Sequence, residues 1–364
     1  MPRVTKQAMW CAALVTSAAI GVLALRAAGK TLDIYFIDVE GGQATLIVSP
    51  QGRTLLVDTG YPSDGTFQST PRDPRSARDA QRILAAAKSA GVSRIDTLVA
   101  THFHADHAGG VVELAQLLPI AGFVDHGQVN PEAETGVTGT LNVFARYAAV
   151  RAKGRHTVAR PGERLPADGF DAVILSSDGR TITKPLARAA GSNSACAAAA
   201  TAPGDPHENP RSVGFLLTFG RFTFLDVGDL TGAPLFALTC PKDLVGHVDV
   251  YLVAHHGGDD AADLATFSAL TPRVAVLNNG SRKGGGARTF ATLHRASADS
   301  GRSGIADVWQ LHRSSNAGAE NFAASRIANL DESTAHWLKL SASEDGSFSV
   351  TNPRTGETKT YPSN

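Results

Sequence analysis

Thr97-Leu98-Val99-Ala100-Thr101-His102-Phe103-His104-Ala105-Asp106-His107-Ala108-Gly109-Gly110 decides how this chain is read. Residues 97–101 form a short, largely apolar run that reads as a buried strand. Directly after it, three imidazoles and a carboxylate fall within six residues. Alternate residues of an extended segment point the same way, so His102 and His104 can grip one ion together. Asp106 and His107 then turn to face a second ion. Imidazole and carboxylate are ligands for zinc and also suit iron or manganese. Gly109 and Gly110 are expected to give a tight turn into a helix over 110–118, which Pro119 stops.

Working outward, residues 32–39, 44–48 and 54–57 read as a meander of strands, turning at Glu40-Gly41-Gly42 and Gln51-Gly52. Residues 76–90 read as a helix ended by Gly91, and 141–153 as one ended by Gly154. Residues 123–125 and 172–176 are short strands. The stretch 178–211 is rich in Ala, Gly, Ser, Asn and Pro and reads as a long surface loop. Residues 213–219 and 221–227 form a hairpin about Gly220. Buried strands follow at 248–254, 274–277 and 305–311, with helices between them. Residues 337–341 and 348–351 close the chain as a hairpin. Strands in both halves with helices between them fit two sheets packed face to face, helices outside.

The 364 residues suffice for one large domain or two ordinary ones, with a sizeable core. A hydrophobic fraction of 43% and a charged fraction of 19% are globular values. Lys+Arg and Asp+Glu are 34 each, so the net charge is zero. That removes a binder built on bulk positive charge, and tight non-specific nucleic-acid binding is not expected. With 36 Gly and 6% aromatics, tight turns and an aliphatic core are expected. Arg3 and Lys6 precede an uncharged stretch over 8–25, and Ala27-Ala28-Gly29 follows it. Residues 1–29 thus read as a secretory signal peptide, or as a membrane anchor, and 30–364 as an exported domain, periplasmic or secreted. One such stretch does not make a membrane channel. Cys196 and Cys240 remain in the exported part and either pair or stand as separate buried thiols.

The run His102-x-His104-x-Asp106-His107 resembles the His-x-His-x-Asp-His motif of the metallo-β-lactamase superfamily. The resemblance extends along most of the exported part. Asp58 in Leu55-Leu56-Val57-Asp58-Thr59-Gly60 matches the family's early Asp, which supports the metal loop from behind. Asp229 in Val227-Gly228-Asp229-Leu230 matches the Gly-Asp whose carboxylate bridges two metals. His255-His256-Gly257-Gly258 matches the last metal histidine. Together these motifs look most like the hydrolase domain attached to ComEC-type DNA-uptake channels and its stand-alone secreted relatives. The implied fold is α/β, a four-layer αββα sandwich with the site along one edge of the two sheets.

The resemblance implies metal ligation by His102, His104, Asp106, His107, Asp229 and one of His255 and His256. Strand neighbours point opposite ways, so one of that pair binds while the other packs; aligning on the following Gly favours His256. The family's remaining histidine has two counterparts. His207 matches by position, 22 residues before Asp229, and His126 ends a strand. ComEC-like members carry Asn-x-x-Ser here, as in Asn209-Pro210-Arg211-Ser212. Asn278, Asn279 and Lys283 fall in a Gly-rich segment that is either a substrate-binding loop or a surface turn. Asp38, Glu40 and Asp226 sit at strand ends and read as backbone caps. His156, His247, His294, His312 and His336 read as structural or surface residues.

The expected function is an exported hydrolase that uses metal-activated water, with two zinc ions, or manganese or iron, as cofactors. Asp106 is expected to orient the water and take its proton. The expected substrate is a small molecule or phosphoester, with a phosphodiester included. A β-lactam or lactone acyl hydrolase, or a non-catalytic binding module of the same fold, are the alternatives.

Overall fold

Side chains along β1 (Leu32–Phe36) alternate between two interiors. Leu32, Ile34 and Phe36 point into one apolar cluster, and Tyr35 into another. The period of two along a strand makes that division, and both faces of the sheet are covered. The computed structural model describes residues 31–65, 70–71, 73–130, 139–189, 191–198, 208–261, 263–298 and 304–363.

The chain first lays down β1, β2 (Thr45–Val48), β3 (Thr54–Val57), α1 (Arg78–Ser89) and β4 (Thr97–Val99). Then come α2 (Ala105–Ala108), α3 (Val111–Leu117), β5 (Gly122–Asp125), α4 (Thr140–Arg151) and β6 (Arg155–Val158). The second half opens with β7 (Asp171–Ser177), β8 (Arg180–Thr181), β9 (Gly191–Ser192), β10 (Gly214–Phe219) and β11 (Phe222–Asp226). It continues through α5 (Gly232–Thr239), β12 (Lys242–Asp243), β13 (Val250–Leu252), α6 (Leu264–Leu270), β14 (Val274–Leu277) and α7 (Ala287–Ala298). Strands β15 (Asp307–His312), β16 (Ile327–Asn329), β17 (Leu338–Ala342), β18 (Phe348–Asn352) and β19 (Glu357–Tyr361) complete it.

Among the described residues, one large sheet runs β19-β18-β17-β1-β2-β3-β4-β5-β6 and a second β16-β15-β14-β13-β11-β10-β7-β8, while β9 and β12 pair separately. Strands β1 to β3 are an antiparallel meander, and β3 to β6 pair in parallel. In the second sheet β10 and β11 form the hairpin, and β11, β13, β14, β15 and β16 pair in parallel. Phe36 of one sheet meets Phe224 of the other edge-on at 5.8 Å, at the centre of the inter-sheet core. Outside the first sheet, Leu46, Leu56 and Leu98 pack on Ile83, Val111, Leu114 and Tyr147. Outside the second, Leu216, Leu225 and Tyr251 share a cluster with Leu238, Phe267 and Phe290. Each fully buried large apolar side chain contributes roughly 1.5–3 kcal/mol. The result is a four-layer αββα sandwich.

The structure departs from the sequence reading in two stretches. Residues 178–211 are not one open loop. They hold β8, β9, a 3-10 turn at Ser194–Ala198 and a disulfide between Cys196 and Cys240. The chain also does not close on the β17–β18 hairpin, because β19 adds an antiparallel edge strand. The signal or anchor reading of 1–29 lies outside the described residues. Among the described residues no helix is long and apolar enough to cross a membrane.

Candidate metal centre

The parallel strands of both sheets end on the same side, and the chemistry gathers there. β3 delivers Asp58, β4 the segment 101–107, β11 Asp229, and β13 the His255–His256 pair. Asp58 stands at φ 61°, a left-handed conformation that Asp tolerates better than most residues. That turn aims its carboxylate back at the loop. It accepts the Thr101 N–H and the Thr101 hydroxyl, each at 2.7 Å, and lies 2.7 Å from His107 Nδ1.

The segment after β4 stays extended for one alternation and then turns into α2. Phe103 faces away, against His126, Phe144 and Tyr147. His102 and His104 face the site, with His102 Nε2 3.0 Å from His104 Nδ1. Asp106 and His107 follow in the first turn of α2. Gly109 and Gly110 are needed for close approach rather than for a turn. A Cβ on Gly109 would meet the Ala105 carbonyl at 2.1 Å, and one on Gly110 the Thr59 carbonyl at 2.2 Å. Gly109 itself has an ordinary helical φ of −66°.

Four donor atoms converge. One donor atom each from Asp106, His107, Asp229 and His256 all lie within 4.8 Å of one another, and all four residues are buried. Asp229 Oδ2 is the hub, 3.0 Å from His107 Nε2 and 3.2 Å from His256 Nε2. Asp106 Oδ2 is 3.3 Å from each of the same two nitrogens. Asp229 Oδ1 is buried without a hydrogen-bond partner. A buried carboxylate oxygen left so is costly unless a cation meets it.

The local charges hold most of these groups in their ligating forms. Burial opposes the Asp106 carboxylate, but Lys283 and His107 outweigh it and hold its pKa well below the ordinary value. Burial also opposes Asp229, and His107, His256 and His255 keep it ionised. Burial, then neighbouring His107 and His104, push His102 well down, so its ring is neutral. His107 goes the other way: burial disfavours its charged form, yet Asp229, Asp106 and Asp58 raise its pKa well above the usual range. The pocket calls for positive charge, and the donor set fits a divalent metal.

The metallo-beta-lactamase superfamily profile matches residues 37–180, which include the whole 101–110 segment. Over that stretch the chain is similar to the metallo-β-lactamase superfamily. Its similar solved structures include a HARLDQ motif mutant of a metallo-beta-lactamase from Cronobacter sakazakii (Enterobacter sakazakii). That pair is 14% identical, covering 60% of this chain and 75% of the other, with a TM-score of 0.36. A subclass B3 metallo-beta-lactamase from a soil metagenome library is 15% identical over 67% of this chain and 86% of its own, TM-score 0.35. A diphosphatase from the PhnP family is 12% identical over 74% and 83%, TM-score 0.37. No curated protein sequence matches this chain. In this metallo-β-lactamase fold, Asp229, His255 and His256 lie beyond the matched stretch, on the second sheet.

Both histidines of the pair turn inward, because each sits at positive φ, 49° at His255 and 54° at His256. The reading of one inward and one packed ring assumed strand geometry, and the backbone has left the strand by then. His207 lies outside the described residues. His126 is not at the centre: its Nε2 is 3.1 Å from the buried Glu208 carboxylate, and its ring lies 4.4 Å from Phe103. Lys283 reaches the centre, pairing with Asp106 Oδ2 and lying 3.3 Å from the Tyr61 hydroxyl. Asn278 and Asn279 are buried, and their Nδ2 groups bond within the protein. Asn279 Nδ2 donates to the Gly280 and His312 carbonyls, both at 2.9 Å, and Asn278 Nδ2 donates to Gln43 Oε1 at 3.5 Å. The Gly-rich run is not a free surface turn either. Gly285 N–H donates to the His256 carbonyl, and a Cβ on Gly284 would meet that carbonyl at 2.2 Å.

Sequence reasoning missed Asp260, whose carboxylate oxygens lie 2.8 Å from His255 Nδ1, and Glu208, which accepts from Phe103 N–H at 3.3 Å. A carboxylate five residues after a metal-type histidine was the available signal for the first. Asp38 does more than cap a strand end, and His312 is its buried partner. His312 Nε2 is 2.8 Å from Asp38 Oδ1, and Arg82 pairs with Asp38 Oδ2 at 2.8 Å.

Proposed function

We propose that this chain is an exported metal-dependent hydrolase of phosphoesters, phosphodiesters included. The observation that carries the reading is the convergence of Asp106, His107, Asp229 and His256 on one buried point, beside the paired His102 and His104. Zinc suits this nitrogen and carboxylate set, with manganese or iron as alternatives, and two ions would use all of it. Bound there, a divalent ion supplies Lewis acidity and acidifies water towards neutral pH. The chain's own groups do the rest. Asp106 is the group expected to orient a water and accept its proton. Asp58 fixes the His107 ring through Nδ1. Lys283 stands beside Asp106 to meet negative charge on the substrate.

An anionic substrate is supported by the surroundings. Arg78, Arg82, Arg282 and Lys283 border one groove against Glu40 and Glu332. The Gly-Asp-Leu and His-His-Gly motifs point to the nuclease-like, ComEC-type branch by analogy. Export is supported by the Cys196–Cys240 disulfide, since such bonds persist in oxidising compartments.

The test compares wild type with His104→Ala for metal content and for turnover of a phosphodiester, a phosphomonoester and a β-lactam chromogen. Bound metal, phosphoester turnover and loss of both in the variant are expected. β-Lactam turnover alone would move the assignment to acyl hydrolysis. Folded wild type without metal or turnover would leave a binding module. Recovery of the protein in the periplasmic fraction tests export.

A further inference from the structure

We infer that Gln43 is a positioning residue of the metal centre, clamping the segment that carries Asp106 to the turn that carries Asp229 by way of Asp226. The inference rests on the metal-dependent reading above and gives a role to a residue outside the ligand motifs.

The need for a clamp follows from the fold. Asp106 lies in α2, just beyond β4 of the first sheet, and Asp229 lies just beyond β11 of the second. Their carboxylates nevertheless flank the same two nitrogens. Asp229 Oδ2 is 3.0 and 3.2 Å from His107 Nε2 and His256 Nε2, and Asp106 Oδ2 is 3.3 Å from each. Donors supplied by two sheets hold one geometry only where the surrounding residues lock the two carriers together.

Two sets of bonds give Gln43 that task. Its backbone is tied to the Asp106 side. Gln43 N–H donates to the Asp106 carbonyl at 3.1 Å, and the Gln43 carbonyl accepts from Gly60 N–H at 3.0 Å, shortly after Asp58. The chain runs tightly here, since a Cβ on Gly42 would meet the Asp106 carbonyl at 2.4 Å. The Gln43 side chain is tied to the Asp229 side. Its Nε2 donates to Asp226 Oδ2 at 2.8 Å, and Asp226 Oδ1 accepts from Gly228 N–H at 3.0 Å, next to Asp229. The Asp226 carboxylate thus pins the turn with one oxygen and is held by Gln43 through the other. That turn presses on the metal loop. Gly228 has φ 55°, and a Cβ there would meet the Thr101 side chain at 2.9 Å.

The connection is enclosed. Gln43 and Asp226 are each 1% exposed, and the buried Asn278 Nδ2 lies 3.5 Å from Gln43 Oε1. Buried polar groups are costly when left unpaired, and when paired they fix one arrangement of the segments they join. An apolar contact would fill the same space without that direction.

The experiment loads the full protein with cobalt alone and reads its d–d spectrum and its affinity by chelator competition. Circular dichroism and the urea midpoint of the metal-free protein report folding separately. Gln43→Met removes the amide at nearly constant length. Gln43→Met with Asp226→Leu makes the contact apolar on both sides, which guards against a variant that fails to fold on an unpaired buried carboxylate. Asp226→Asn keeps an acceptor for Gly228 and, with the Gln43 amide turned over, keeps the bond between the sheets. Both Met-bearing variants are expected to bind cobalt 10–100-fold more weakly, with an altered spectrum. Asp226→Asn is expected to match wild type in both. Wild-type affinity and spectrum in a folded Met-bearing variant, with only the urea midpoint lowered, would make Gln43 a core residue and overturn the assignment, leaving the metal-dependent reading intact. So would an Asp226→Asn as weak as the double variant, because the Asp226 charge would then matter and the bond would not. A folded wild type that takes no cobalt overturns the metal-dependent reading itself.

Discussion

The Asp58 carboxylate holds His107 from behind, Oδ2 to Nδ1 at 2.7 Å, while both Thr101 donors fix the same carboxylate. This contact decides which His107 nitrogen faces Asp229. Asp58→Asn keeps the shape and tolerates φ 61° but offers His107 a weaker acceptor. Metal affinity should fall 10–100-fold with the fold retained. Competition with a chromogenic chelator measures it; wild-type affinity in the variant would show that Asp58 serves the fold alone.

Lys283 joins the Gly-rich loop to the centre through Asp106. Burial works against its charge, but Asp106, Tyr61 and Asp229 more than offset this and raise its pKa, so it is a cation throughout the physiological range. Lys283→Met should raise KM for an anionic phosphodiester about tenfold, the size of one charge-assisted hydrogen bond. Turnover of a neutral ester should change far less. Equal losses on both substrates would place Lys283 in support of Asp106 instead.

The metal loop was legible because its ligands are contiguous. Residues 102–107 need only one strand end and one helical turn to converge. The meander of β1 to β3 and the hairpin about Gly220 followed from apolar runs and turn residues. What escaped was non-local. Gln43 Nε2 donates to Asp226 Oδ2 at 2.8 Å across 183 residues, and His312 meets Asp38 across 274. No local pattern predicts such pairs. Strand β19, Glu-Thr-Lys-Thr-Tyr, escaped because a half-exposed edge strand carries polar residues where a central strand carries Val or Ile. The inward turn of both His255 and His256 depends on two positive φ values, which apolar periodicity does not encode.

The disulfide ties the 3-10 turn at Ser194–Ala198 to the end of α5, across a sequence separation of 44. Closing a loop of that length stabilises the fold by up to about 4 kcal/mol on the chain-entropy estimate. Replacing both cysteines by serine should lower Tm and the urea midpoint. Reductant should lower wild type towards the double variant and leave the variant unmoved. A reductant effect of equal size on both would assign the loss to something other than this bond.

His312 supplies a pH-dependent term of its own, away from the metal donors. Burial lowers its pKa, but the hydrogen bond and charge of Asp38, then Glu40, outweigh this and raise it. Asp38 is the mirror case: burial raises it, and His312 and Arg82 bring it below the ordinary carboxylate value. A raised histidine stabilises fully below its unfolded pKa of about 6.5, and the effect is lost as pH climbs through the folded value. A lowered aspartate stabilises fully above about 3.9 and loses the effect as pH falls through its folded value. The stability gap between wild type and His312→Gln should therefore be widest from about pH 4 to 6.5 and shrink at higher pH. Removing one partner of a buried pair costs about 3–5 kcal/mol, and Arg82 remaining on Asp38 sets the expectation at the low end. Urea unfolding of both proteins at a series of pH values from 5 to 10 reads the gap. A gap that stays level across that range would mean His312 is neutral in the folded protein and acts by packing alone.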